Sequence, residues 1–114
     1  MIFLSDIVTL KRNNDFRRLY AKGRYFTSSV LVTYVMKNKY RNVRIGITAS
    51  KKIGKAVMRN RSRRLIREAF RQISDEVGIG FDIVFVARGK TPYVKSYDVL
   101  RAMKKELKEA GVLR

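Results

Sequence analysis

Val43-Arg44-Ile45-Gly46-Ile47-Thr48-Ala49, running directly into Ser50-Lys51-Lys52-Ile53-Gly54-Lys55-Ala56-Val57-Met58-Arg59-Asn60-Arg61-Ser62-Arg63-Arg64-Leu65-Ile66-Arg67-Glu68, decides how this chain folds. In the first part, Val43, Ile45, Ile47 and Ala49 alternate with Arg44, Gly46, Thr48 and Ser50, the period-2 pattern of a half-buried strand. A loop containing Gly54 follows, and then a long helix over about residues 56–74. At ~100° per residue that helix has two faces. Leu65, Ile66, Ala69, Phe70, Ile73 and then Val77 gather on one; Asn60, Arg63, Arg64, Arg67 and Arg71 gather on the other, with Arg59 at one border and Arg61 near the other.

Upstream, Asn13-Asn14-Asp15-Phe16-Arg17-Arg18-Leu19-Tyr20 supplies an Asn or Asp cap and apolar residues at helical spacing. With Gly23 as a stop, this predicts a short helix over about residues 14–22. Tyr25 to Ser29 and Val30 to Met36 are β-branched and aromatic, and read as one long strand or two abutting ones. The turn from Lys37 to Asn42 is short, so the strand ending at Met36 and the strand from Val43 are expected to form an antiparallel hairpin. Downstream, Phe81-Asp82-Ile83-Val84-Phe85-Val86-Ala87 is a near-continuous apolar strand suited to a sheet interior. Pro92 opens a last helix over about residues 93–110, ended by Gly111; Tyr93, Tyr97, Leu100, Met103, Leu107 and Ala110 form its docking stripe. The expected architecture is α+β in a single domain, residues 1–114. It has one sheet of about four strands, in the order α-β-β-β-α-β-α, with helices packed mainly on one face.

The chain has 27 Lys and Arg against 9 Asp and Glu, a formal charge of +18. Hydrophobic residues make up 46%, enough for a core, which excludes a disordered basic tail. Between Asp15 and Glu68 there is no carboxylate side chain but there are 16 Lys or Arg. A surface chosen for solubility would mix the signs, and the self-repulsion of such a field is relieved by a bound polyanion. No apolar run reaches the ~18 residues of a membrane span, and no lipidation signal marks a membrane-surface protein. Met1 to Asp6 has neither a basic n-region nor a small-residue cleavage site, so no signal peptide is expected and the location is read as cytoplasmic. The partner that fits is a nucleic acid.

On the long helix only Glu68 is available to neutralise six arginines, so intrahelical pairing does not explain the basic face. Arg, preferred there over Lys, forms planar bidentate contacts with phosphates and stacks on bases. Asn60 suits a ribose hydroxyl or base edge, and equally a local backbone bond. Phe16 and Tyr20 are i,i+4 neighbours interleaved with Arg17, Lys22 and Arg24, the mixture single-stranded nucleic acid needs; the alternative is that Phe16 and Leu19 pin their helix to the sheet. Catalysis has little to work with. Cys and His are absent, and of nine carboxylates only Asp75 and Glu76 are close in sequence, so neither a metal site nor a catalytic residue is expected.

The stretch from Ser50 to Glu68 closely resembles the signature of the bacterial ribonuclease P protein component, in which a Lys-Lys-x-Gly-x-Ala-Val loop enters a helix with an Arg-Asn-Arg core. The resemblance extends to Asn14-Asp15-Phe16 with Tyr20 and Gly23, to Arg44-Ile45-Gly46, and to Gly80-Phe81-Asp82 with Val84 through Arg88. It implies a subunit that assists a catalytic RNA in removing the 5′ leader of precursor tRNA, with Mg²⁺ held mainly by RNA and no protein partner required. It further implies that Lys51, Lys52, Lys55, Arg59, Asn60, Arg61, Arg63, Arg64 and Arg67 contact the catalytic RNA. Phe16, Tyr20 and Tyr34, with Lys52, Ala56 and Arg59, would line a cleft for the single-stranded leader. The implied fold is similar to a ribosomal-protein domain with a left-handed βαβ crossover, where the general rule expects the opposite hand. Two rival readings are a ribosomal or rRNA-chaperoning protein, which has no need of the full loop and Arg-Asn-Arg helix, and a stand-alone nuclease, which would cleave without added RNA.

Overall fold

A computed structural model describes residues 7–114; the segment Met1 to Asp6, in which no targeting signal is expected, lies outside the described residues. The elements in chain order are β1 (Ile7–Thr9), α1 (Asn13–Lys22), β2 (Arg24–Thr27), β3 (Leu31–Lys37), β4 (Val43–Thr48), α2 (Ala56–Ile73), β5 (Phe81–Ala87) and α3 (Ser96–Glu109). They build one five-stranded mixed sheet in the order β1-β4-β5-β3-β2. The α+β class is as expected, but the sheet has one strand more than the sequence suggested. β1 has only three residues, too few to show an alternation, and it joins the sheet by pairing parallel to β4.

The expected hairpin between β3 and β4 does not form. β5 lies between them, antiparallel to β3 from Leu31↔Ala87 to Lys37↔Phe81 and parallel to β4 from Val43↔Phe81 to Thr48↔Val86. The physical reason is burial. Ile83, Val84 and Phe85 have no exposed surface, so β5 is covered on both faces and needs a paired strand along each edge. The connection from Lys37 to Asn42 spans the gap: the Asn38 N–H donates to the Gly80 carbonyl and the Gly80 N–H to the Asn42 carbonyl, both at 2.8 Å. The hairpin that does form is β2–β3, closed by Ser28, whose Oγ accepts from the N–H groups of Val30 and Leu31.

Two cores result, one on each side of the sheet. On one side α2 and α3 bury Ile66, Phe70, Ile73, Val99, Met103 and Leu107 against Leu31, Val35, Val43, Ile45, Ile83 and Phe85. On the other side α1 sets Leu19 against Leu10 and Val84. Most of that second face is left to a single ten-residue helix, which makes room for a site.

Two helix ends differ from expectation. α1 begins after Arg12 with no side-chain cap, and Gly23 at its end has an ordinary φ of −72°. Glycine is required there by close approach: a Cβ would lie 2.6 Å from the Leu19 carbonyl oxygen and 3.2 Å from that of Val35. α3 starts only at Ser96, because Thr91–Tyr93 forms a separate 3₁₀ turn and Asp98 accepts the Lys95 N–H to cap the helix. Its buried stripe is Val99, Met103, Glu106, Leu107 and Ala110. Tyr93 and Tyr97, placed in that stripe by the sequence, are 71% and 62% exposed; Tyr97 lies about 200° around the helix from Val99.

Candidate nucleic-acid interface

The floor of the α1 side begins with Gly46 in β4. An ideal Cβ on Gly46 would sit 2.6 Å from Phe16 Cε1, so the Phe16 ring rests on bare backbone that only glycine provides. That contact, with buried Leu19, fixes α1 on the sheet. One turn further along α1, Tyr20 stays partly exposed, its hydroxyl 3.4 Å from Thr48 Oγ1. Its ring meets Tyr34 edge-on at 5.0 Å, and Tyr34 in turn lies 5.9 Å from Tyr25. With Phe16 at 6.4 Å from Tyr20, four rings form one continuous row across α1, β3 and β2.

The two sequence readings of the aromatics therefore divide between residues. Phe16 is half-buried and pins the helix, whereas Tyr20 presents ring surface to solvent. The sequence placed Tyr25 in a strand but not in the site, although it is 66% exposed and pairs directly with Tyr34. The signal was available only through the β2–β3 register, which puts residues 25 and 34 on one face.

From Thr48, at the Tyr20 hydroxyl, the chain runs through Ala49 and Ser50 into the 3₁₀ turn Lys51–Ile53 and then into α2. Lys51, Lys52, Lys55 and Ala56 are exposed along this path. Arg59 is half-buried and turned back on its own loop, its Nη1 donating to the Gly54 carbonyl at 2.8 Å. Arg63 ties α2 to the end of β4: Nη2 donates to the Ala49 carbonyl at 3.3 Å and Nη1 to Asn60 Oδ1 at 3.1 Å. Asn60 thus has a local role in bracing Arg63. Arg71 takes both carboxylate oxygens of Glu68, at 3.0 and 2.6 Å, and this holds the Glu68 carboxyl below its ordinary pKa. That leaves Arg61, Arg64 and Arg67 exposed, with no carboxylate within salt-bridge distance among the described residues. Spaced three apart, they form a stripe about 9 Å long.

Among the described residues, the carboxylates beside α1, Asp15 and Asp82, are already paired. Asp82, 1% exposed, accepts from Arg44 Nε at 2.7 Å and Nη2 at 2.6 Å, and from Asn38 Nδ2 at 2.8 Å. Arg18 bridges Asp15 at 3.2 Å and Asp82 at 3.7 Å. The hydrogen bond to Asp82 keeps the Arg44 guanidinium even more firmly protonated than usual, against the opposing effect of burial. Arg44 also lies over the Tyr40 ring at 5.0 Å. The described residues contain no cluster of three or more His, Cys, Asp or Glu that could hold a metal ion. No helix among them is long and apolar enough to cross a membrane.

Ringed surface, uncompensated arginines and neutralised acids together suit an RNA chain. Comparison with known proteins gives the same direction. The family model described as Ribonuclease P matches residues 4–111. The "Ribonuclease P protein component" of Clostridioides difficile is 42% identical over 104 residues, covering 90% of this chain and 91% of that protein. That of Clostridium kluyveri is 41% identical over 112 residues, covering 96% and 99%. Among solved structures, the RNase P protein of Staphylococcus aureus superposes with a TM-score of 0.82 at 34% identity, covering 93% of this chain and 97% of that one. The RNase P protein of Thermotoga maritima gives 0.76 at 30% identity, covering 85% and 92%. By sequence and by fold, this chain belongs to the ribonuclease P protein family.

Proposed function

We propose that this chain is the protein subunit of a ribonuclease P holoenzyme and works by holding two RNAs at once. The α2 face and the loop before it, Lys51, Lys52, Lys55, Arg59, Asn60, Arg61, Arg63, Arg64 and Arg67, bind the catalytic RNA. The aromatic row of Phe16, Tyr20 and Tyr34, extended by Tyr25 and flanked by Lys52, Ala56 and Arg59, receives the single-stranded 5′ leader of precursor tRNA. Cleavage belongs to the RNA, with Mg²⁺ held mainly by RNA, and it takes place in the cytoplasm without a further protein partner. Cations that neutralise backbone phosphates lower the divalent-ion concentration the assembly requires.

The observation that carries this reading is the row of rings beside Thr48, from which the chain passes directly into the basic loop and α2. Stacking is worth about 1–3 kcal/mol per base, so Tyr20→Ala should cut the preference for leader-bearing over mature tRNA by about fivefold or more. Arg61→Gln with Arg64→Gln and Arg67→Gln should weaken catalytic-RNA binding and flatten its salt dependence, leaving the leader preference of the saturated complex intact. Both are read in one assay, reconstituted cleavage with the cognate RNA at low Mg²⁺. Cleavage by the protein alone, or co-purification with rRNA in place of a ribozyme, would overturn the reading.

A further inference from the structure

A cavity of about 480 Å³ lies on the other side of the sheet from α1, between the β2–β3 turn, the connection from β5 to α3, and the first turns of α3. Its walls are braced. Arg88 Nη1 donates to Thr27 Oγ1 at 2.7 Å and to the Ser28 carbonyl at 2.8 Å, while Thr91 Oγ1 donates to the Val30 carbonyl at 2.6 Å and accepts the Arg88 N–H at 2.8 Å. The β2–β3 turn is thereby bolted to the chain that enters α3. Val30, Val94 and Ala102 give the cavity an apolar floor, and Lys90, Arg101 and Lys105 stand around it. None of these three cations has a carboxylate within salt-bridge distance among the described residues. The one carboxylate in the lining, Asp98, is engaged as the cap of α3. Arg101 also lies over the exposed ring of Tyr97, at 5.7 Å.

This combination of a rigid apolar floor, three unpaired cations and an adjoining exposed ring has the size and chemistry of a nucleotide site. We infer that the cavity holds one nucleotide of a single-stranded RNA segment, its phosphate among Lys90, Arg101 and Lys105 and its sugar or base on Val30, Val94 and Ala102. It is a third RNA contact, on the opposite side of the sheet from the aromatic row and separate from the basic face of α2, and it rests on the reading that RNA is the partner. An RNA strand gripped there stays clear of the leader site, so the protein can be held by RNA from both sides of its sheet.

The test uses the full chain and a short fluorescent oligouridylate, with affinity followed across salt concentration. Arg101→Gln with Lys105→Gln should lower the slope of log affinity against log salt by about 0.7, the share of one single-strand phosphate contact. Lys104→Gln with Lys108→Gln removes the same charge from the same helix outside the cavity and should change the slope far less. Equal effects of the two pairs, or none from the first, would overturn the inference while leaving RNA binding elsewhere intact; failure of the parent chain to bind at all would overturn the functional reading instead. Amide shifts of Val30, Val94 and Ala102 on adding oligouridylate should persist in the Tyr20→Ala chain. If inorganic phosphate binds among the cations but oligouridylate leaves the floor amides unmoved, the site is a simple anion site and the nucleotide assignment fails.

Discussion

Glu106 offers a measurement whose sign and size both follow from the fold. Its carboxyl is buried on α3 close to the Ser28 and Thr33 hydroxyls, but among the described residues neither of its oxygens, nor the Thr33 hydroxyl in β3, makes a hydrogen bond of good geometry. Burial pushes its pKa from 4.5 up to about 7; the hydroxyls of Ser28 and Thr33 oppose the rise, and the Glu109 charge adds to it. The folded state therefore binds the proton more tightly than the unfolded state. The associated stability is fully present below pH 4.5 and is lost as the pH rises through about 7. A shift of that size corresponds to about 3 kcal/mol, of which about 2.5 kcal/mol disappears between about pH 5 and about pH 9. Glu106→Gln keeps the shape and cannot ionise, so it should remove this slope. Urea unfolding of both chains across that range, at constant ionic strength, isolates the effect because every other titrating group is common to the two. Parent and variant should diverge by about 2.5 kcal/mol, the variant being favoured at high pH. Parallel stability curves would refute the assignment of a protonated, buried Glu106.

Two further outcomes test the α1 face. Arg44→Met strands the Asp82 carboxylate in the interior and should cost about 3–5 kcal/mol in urea unfolding, whereas Arg44→Met with Asp82→Leu should recover most of that loss. Gly46→Ala drives a Cβ into the Phe16 ring and should cost about 1–3 kcal/mol; in a Phe16→Ala background the cost should nearly vanish, and additive losses would show that the ring does not rest there.

Much of the candidate interface is legible in the order of residues alone. Uncompensated charge is a property of composition and spacing, so the arginines of α2 stand out because Glu68 is their only local partner. The fold refines that reading by spending Arg71 on Glu68 and part of Arg59 and Arg63 on backbone carbonyls, which separates Arg61, Arg64 and Arg67 as the free set. Tyr25 is not legible in the same way, because nothing local distinguishes a ring facing Tyr34 from one facing the core. Only the pairing register does.

Local periodicity, β-branched runs and charge spacing are short-range properties, and from them the sequence by itself determined the α+β class, the basic helix and the kind of partner. Strand order is a contest between distant segments for shared edges. The insertion of β5 between β3 and β4 follows from the need to pair both edges of a strand buried on both faces, and no turn between neighbouring residues encodes it. The same holds for the stripe of α3, whose start was set by a separate 3₁₀ turn and a cap at Asp98, and which turned Tyr93 and Tyr97 out to solvent. Tertiary packing alone decided which rings became core and which became surface, because burial depends on what arrives from elsewhere in the chain.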